Sequence, residues 1–374
     1  MKTQAGKIKA LLITSALAAA LSGVSRAQDP TPDPNEVPQT VPAPVATPAR
    51  PKIKTPHTKV NAPRTDREAP MPPSFPTGLS RMGGTFERSI AVDARVTVSL
   101  CVTQGDVKVN GWSRNEVRIF VKDGSKVGFD VVQSNRQGNK PVWIKVVGSD
   151  PKRPAGSKEC LWGGAVELDV PEQASVDLEG TETRSIVDSI RKIKIKNAGG
   201  NISVRNVTEG VSATTYEGNV DVENSDGTMT LESSTGNIVV FESGPSQVGD
   251  TFRAKTNGGT ISLQHIEHRQ VDVSSISGSI LMNSELLTAS IYNLNTSNGS
   301  IIFGVPNIPP CVFSATYGFG RFDSEVPIKI FTENDSPGPV KTVRGTFENA
   351  ATADCKLTLT TSSGTIRIRK RANP

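Results

Sequence analysis

Aromatic residues make up only 5% of this 374-residue chain, and apolar residues 35%. The length alone would accommodate two or three domains of roughly 100–200 residues. With so few rings, large packed cores are excluded. Histidine numbers only 3, and no serine–histidine or cysteine–histidine constellation stands out. Cysteine numbers 4, with no CxxC and no cysteine–histidine spacing, which argues against catalytic or metal-binding thiols. A second long apolar run is missing, which excludes a polytopic membrane protein. Glycine (33) and proline (26) are plentiful.

The formal charge of +5 raises the question of a nucleic-acid or membrane partner. Lys2, Lys7 and Lys9 precede an apolar, small-residue stretch from Ala10 to Val24, and Ser25-Arg26-Ala27 follows it. This is the pattern of a secretory signal, with Gln28 as the expected new N-terminus. An uncleaved anchor is the competing reading, but the run is short for a bilayer, which needs about 20 residues. No cysteine follows it, so a lipoprotein anchor is not expected. Cleavage would remove Lys2, Lys7, Lys9 and Arg26 and leave 38 basic residues against 37 acids. Nucleic-acid binding thereby loses its main support. After cleavage no transmembrane segment is expected, and the protein would lie in the periplasm, on the cell surface or outside the cell.

Residues 28–80 hold 14 of the 26 prolines and show no hydrophobic periodicity. Such a segment buries too little apolar surface to offset its ordering entropy, so a disordered, proline-rich linker is expected. At polyproline rise it would reach about 150 Å, as a spacer or as an inert tether. From Met82 onward short alternating runs appear, such as Arg95-Val96-Thr97-Val98-Ser99-Leu100 and Val166-Glu167-Leu168-Asp169-Val170. Period-two alternation predicts half-buried strands, and no long 3.6-residue period competes with it. The domain is expected to be all-β.

Within it a unit recurs: glycine, a polar residue, an aliphatic, any residue, a second aliphatic. It reads Gly200-Asn201-Ile202-Ser203-Val204, Gly218-Asn219-Val220-Asp221-Val222 and Gly236-Asn237-Ile238-Val239-Val240. It continues from Gly259, Gly278 and Gly299 and returns at Gly364-Thr365-Ile366-Arg367-Ile368. The steps run from 18 to 23 residues up to Gly299. A weaker copy at Gly227, nine residues after Gly218, implies two strands per coil. A period near 20 means stacked units that each bury a face on the next. The reading is a β-solenoid, or β-helix-like stack, with a thin aliphatic core; a β-sandwich with coincident glycines is the competing one. Residues 81–180 repeat less clearly and are read as an N-terminal cap of antiparallel strands, with repeat coils over 181–374. Gly105 to Trp112, the Val166 to Pro171 strand, the serial Gly-x-Ile units and Thr360 to Ile366 together resemble the bacterial "putative adhesin" β-strand-repeat family, a domain of unknown function. The resemblance covers roughly 85–374. It implies a secreted or envelope-facing β-solenoid and supplies no catalytic residues.

Cys311 and Cys355 each lie nine residues before a glycine, Gly320 and Gly364, and their flanking strands align without gaps. Equivalent positions on adjacent coils lie about 4.8 Å apart, which suits a disulfide. The pairing requires residues 321–354 to form one coil with an insertion rather than two coils. Cys101 and Cys160 are then the second pair, as an oxidising compartment allows.

The His265-Ile266-Glu267-His268 cluster lacks a third metal ligand and is read as a solvated inter-coil loop. Asp221, Glu223, Asp226 and Glu232 are close in sequence, and paired carboxylates serve glycosidic acid–base chemistry; the competing reading is a solvated face. Asn201, Asn219 and Asn237 follow the glycines in register and are expected to stack as an amide ladder. Lys192, Lys194 and Lys196 alternate with inward isoleucines, and Arg367 and Arg369 do much the same near the C-terminus. They form a candidate anionic-ligand patch; the bland reading is solubility and the blunting of edge strands.

The expected function is a non-enzymatic, exported β-solenoid that interacts with cell-surface glycans or envelope proteins, without cofactor, metal or nucleic acid. A carbohydrate-active β-helix enzyme and an envelope-stress-sensing or ligand-binding module are the alternatives. Peptide mapping without reductant is expected to recover Cys101 linked to Cys160 and Cys311 linked to Cys355. Free thiols or crossed pairs would break the coil alignment.

Overall fold

The computed structural model describes residues 84–136, 138–149, 160–306, 311–334, 338–347 and 354–370. The expected signal and proline-rich linker lie outside them. The described residues form strands and turns without a helix, so no helix there is long and apolar enough to cross a membrane. The first strands are β1 (Gly84–Ala91), β2 (Thr97–Trp112), β3 (Glu116–Gly124), β4 (Lys126–Ser134), β5 (Pro141–Ser149), β6 (Leu161–Pro171) and β7 (Ser175–Asp188). Next come β8 (Lys192–Gly199), β9 (Ile202–Arg205), β10 (Gly210–Glu217), β11 (Val220–Glu223), β12 (Thr228–Ser233) and β13 (Ile238–Ser243). They are followed by β14 (Phe252–Thr256), β15 (Ile261–Ile266), β16 (Gln270–Ser275), β17 (Ile280–Asn283), β18 (Ile291–Asn298) and β19 (Ile301–Val305). The last are β20 (Cys311–Phe319), β21 (Phe322–Ser324), β22 (Ile328–Asn334), β23 (Lys341–Phe347), β24 (Cys355–Ser363) and β25 (Ile366–Lys370).

Each coil contributes one strand to each of two faces. Face A stacks β2, β7, β8, β10, β12, β14, β16, β18, β24 and β20 in parallel. Face B stacks β2, β7, β9, β11, β13, β15, β17, β19, β25 and β21. The long strands β2 and β7 run through both faces. Alternation puts one aliphatic per coil into each inward column. On face B, Ile202, Val220, Ile238, Ile261, Ile280, Ile301 and Ile366 are in register and buried. On face A, rings at Phe252 and Phe313 are offset two residues on by Ala254 and Ala315. Large beside small keeps the thin interior filled.

One corner fixes the repeat. A Cβ on Gly218, Gly236, Gly259, Gly278 or Gly299 would overlap the carbonyl of the glycine one coil earlier. Three residues before each of these glycines stands a Ser or Thr, buried, whose hydroxyl donates to that same carbonyl. Ser233 reaches Gly218 O at 2.8 Å, Thr256 reaches Gly236 O at 3.0 Å, and Thr296 reaches Gly278 O at 2.8 Å. An oxygen that lies deep in the turn is thereby satisfied.

Coil order departs from chain order at both ends. β24–β25 lies between β18–β19 and β20–β21, so the last coil in sequence is an inner one. Thr361 donates to Gly299 O at 2.9 Å, and Gly364 lies against Gly299. Cys311 and Cys355 are direct register partners and form a disulfide, as do Cys101 and Cys160. Between β20 and β24, β21 completes a single coil, and the antiparallel hairpin β22–β23 adds to face A. At the other end β2 lies between β7 and the β5–β6 coil. The expected antiparallel cap is present in β1, β3 and β4. This region also holds two parallel coils, β2 and β5–β6, which irregular glycine spacing concealed.

Phe313 packs on Phe347 at 5.2 Å and stacks on Phe322 at 5.7 Å, closing the C-terminal end of the core. Every outer strand is blunted. β1, β4 and β22 carry register shifts, and β21 is three residues long. Irregular or short edges resist pairing with another chain.

The adjacent glycines 258 and 259 isolate the corner constraint. A Cβ on Gly259 would overlap Gly236, whereas one on Gly258 would meet only Ser234 O at 3.8 Å. Gly259→Ala is expected to cost about 3 kcal/mol and Gly258→Ala less than about 0.5 kcal/mol, read from urea unfolding midpoints. Equal losses would remove the close-approach account.

Candidate functional site

Because the inward positions are taken by the core and by the corner hydroxyls, outward residues are left for recognition. On face A they form rows, one residue per strand. Lys145 of β5, Ser99 of β2, Asp177 of β7 and Lys194 of β8 stand in one row across four neighbouring strands. Glu179 and Lys196 are paired in the next. These residues line a groove of about 400 Å³, with Leu100, Val146 and Leu178 beneath and the Cys101–Cys160 disulfide at one side. Neither Lys194 nor Lys196 closes an ion pair with its register neighbour Asp177 or Glu179. The groove therefore presents separated charges in the order positive, negative, positive.

Of the candidate anionic-ligand residues, Lys192, Lys194 and Lys196 are exposed on face A, as the alternation predicts. Only Lys194 and Lys196 line the groove, and Lys145 joins them from β5. Arg367 and Arg369 stand on face B, near the other end of the stack. They face Asp323 at 3.4 Å and Glu325 at 3.8 Å. The five residues thus do not form one patch. Nor do they blunt edges, because β8 and β25 are both inner strands. Lys145 escaped the sequence reading because it lies on a strand with no repeat glycine; its β5 alternation was the available signal.

The sequence-adjacent carboxylates are dispersed. Asp221 and Glu223 are on face B, Glu232 is on face A, and Asp226 is in a turn. Glu223 pairs with Arg205 at 3.0 Å, and Asp226 accepts the Gly244 N–H at 2.9 Å. Burial raises the Asp221 carboxyl above its ordinary value, without a second acid in register beside it. Among the described residues, no group of three or more His, Cys, Asp or Glu could hold a metal ion.

The asparagines form a ladder of a different kind from the expected amide stack. Asn201 and Asn219 each accept, through Oδ1, the backbone N–H of the next coil's asparagine at 2.9 Å. A side-chain-to-side-chain ladder exists at another corner, where Asn224 donates to Asn206 at 2.6 Å and Asn206 to Asp188 at 2.8 Å. Asn206 and Asn224 have φ of 53° and 45°, a left-handed conformation that asparagine tolerates well. The same corner position is His265 two coils further on, φ 54°, exposed beside the Phe241 ring at 5.6 Å.

His268 departs from the solvated-loop reading. It is fully buried, with Nε2 2.8 Å from the Gly227 carbonyl and Nδ1 without a hydrogen bond. Burial pushes its pKa below the ordinary value, against the pull of the Gly227 and Ser243 backbone and of Asp250 and Asp226. The geometry fits a neutral ring that donates from Nε2. Nearby Asp250 closes the 245–250 loop. Burial opposes its charge, but bonds from Thr228, Ser246 and the Ser246 and Gln247 amides outweigh burial and hold it at about 2.

Residues 164–373 match the model of the family described as Toastrack DUF4097. No curated protein matches the chain. Among solved structures, a "putative cell adhesion protein" from Clostridium sporogenes aligns at 7% identity and a TM-score of 0.20, covering 76% of this chain and 99% of that one. A "putative lipid binding protein" from Parabacteroides distasonis aligns at 14% identity and a TM-score of 0.38, covering 60% of this chain and 90% of that one. At these scores neither likeness bears on function.

The buried histidine has a pH consequence. The unfolded chain protonates His268 near pH 6.5, while the folded chain resists the proton. The unfolded state then binds more protons, so stability falls as pH drops below about 6.5. His268→Gln keeps a donor for Gly227 O without a titrating ring. Its urea midpoint is expected to fall less than that of the unmodified chain between about pH 7.5 and 5.5. Parallel loss would rule out His268 as the cause.

Proposed function

The chain belongs to the Toastrack DUF4097 family, and we propose that it is an exported, non-enzymatic β-solenoid that acts as an adhesin-like interaction protein at the bacterial cell surface or envelope. The observation that carries this reading is the face A groove, where Lys145, Asp177, Glu179, Lys194 and Lys196 stand outward with separated charges. The inward side chains are occupied in holding coils together, so recognition falls to the outward rows. Rows with one residue per strand, about 4.8 Å apart, suit an extended partner that is met at several points at once.

Export is supported by the signal-like first 27 residues and by two disulfides that link all 4 cysteines, since such bonds persist in oxidising compartments. Dispersal of the sequence-adjacent carboxylates across two faces and a turn supports the non-enzymatic reading over a polysaccharide-cleaving one.

The mature chain from Gln28, added to cell-envelope fractions, is expected to sediment with them saturably and to release no reducing sugar from a polysaccharide panel. Absence of envelope binding, or turnover of any polysaccharide, would overturn the proposal.

A further inference from the structure

We propose that the groove beside the Cys101–Cys160 disulfide binds an acidic saccharide, with its carboxylates on Lys145, Lys194 and Lys196 and a sugar face on Trp143. This rests on the surface-interaction reading and gives it a site and a ligand class.

The volume, about 400 Å³, falls in the range of pockets that hold small ligands. Strand order sets its chemistry. Lys145 and Lys194 are three strands apart, a backbone separation of about 14 Å, and the carboxylates of Asp177 and Glu179 stand beside Lys194 and Lys196. A uniformly anionic partner such as a nucleic acid would meet repulsion from those two carboxylates. A ligand that alternates acids with hydroxyl donors satisfies every charge in the groove: its carboxylates take the lysines, and its hydroxyls donate to Asp177 and Glu179. Uronate-type saccharides have that composition.

Trp143 supplies the remaining element. It lies on the outward side of β5, two residues before Lys145, and is 37% exposed. Its Nε1 donates to the groove residue Ser99 at 3.1 Å, which fixes the ring against the sheet. Lys145 Nζ lies over one face of the ring, 5.6 Å from its centroid, a cation–π contact. A sugar carboxylate that draws the Lys145 ammonium to itself leaves the held, part-exposed indole to take the apolar face of the pyranose. This aromatic platform lies outside the glycine repeat and becomes visible only through the β5–β2 register.

The test is titration of the mature chain with oligogalacturonate, followed by tryptophan fluorescence and calorimetry. The controls are the carboxyl-reduced, neutral oligosaccharide and a polyglutamate of similar length. Oligogalacturonate is expected to bind and shift the fluorescence, and to weaken as NaCl rises from about 0.05 to about 0.5 M. Lys194→Gln with Lys196→Gln is expected to weaken it at least about tenfold, in keeping with the loss of charged contacts. Trp143→Phe should remove the fluorescence shift, and Arg367→Ala with Arg369→Ala on face B should leave binding unchanged. All these substitutions are at outward positions, and thermal melts of each variant check the fold. Equal binding of polyglutamate would overturn the saccharide assignment, and equal binding of the neutral oligosaccharide would overturn the role of the lysines. Retained envelope binding without any oligogalacturonate binding would overturn this inference and leave the surface function standing. Loss of both would overturn the two together.

Discussion

The coils at Gly218, Gly236, Gly259, Gly278, Gly299 and Gly364 are closed at one corner, where a glycine lies against the carbonyl of the glycine one coil earlier and a buried hydroxyl donates to that carbonyl. The contact sets the distance between coils, because a Cβ there would overlap the neighbouring backbone. It also removes the main cost of a tight inward turn, a desolvated carbonyl without a partner. With the corner fixed, the strands that follow it fall into register, and alternation directs one aliphatic after another into the same inward column. The low aromatic content follows, since an interior only a few side chains wide is filled by Ile, Val and Leu, with Phe252 and Phe313 fitted beside alanines.

Stacking by repetition leaves two ends. The chain manages them by placing its first long strand, β2, and its last coil, β24–β25, inside the stack. A rung near a chain terminus is thereby covered on both sides, and the Cys311–Cys355 bond ties that inner rung to the outer one. The strands left outermost are short or bulged. Finite length is built in by topology and edge irregularity together.

The same alternation that builds the core separates structure from recognition. Inward residues cannot vary without disturbing a column, whereas outward ones are constrained only by their row neighbours. Arg205 with Glu223, and Arg367 and Arg369 with Asp323 and Glu325, pair across neighbouring strands of face B. Exposed pairs of this kind contribute little stability. The groove rows differ, because Lys194 and Lys196 stand beside acids without closing on them, which leaves their charge to an incoming partner.

The glycine–polar–aliphatic units, with their steps of 18 to 23 residues, determined the solenoid reading and the inward identity of residues such as Ile202, Val220 and Ile238, and implied two strands per coil. The equal spacing of Cys311 and Cys355 from their glycines pointed to that bond, on the condition that one coil and not two lies between them. Alternation also determined that Lys192, Lys194 and Lys196 face outward. These are local properties, fixed by turn geometry and by the two-residue period of a strand. What required the tertiary structure was which strand lies beside which. Chain order implied that β24 follows β20, whereas packing inserts it between β18 and β20; the sequence places Arg367 and Arg369 in a charge pattern like that of the lysines, and register puts them on the opposite face. Trp143 and Lys145 meet Ser99, Asp177 and Lys194 only because β5 docks on β2. His268 reads as a loop residue until the turn around it buries its ring. Contacts between strands distant in the chain are settled by the burial and hydrogen bonding of the whole stack, and a periodic sequence, by repeating the same local signal in every coil, carries little information about them.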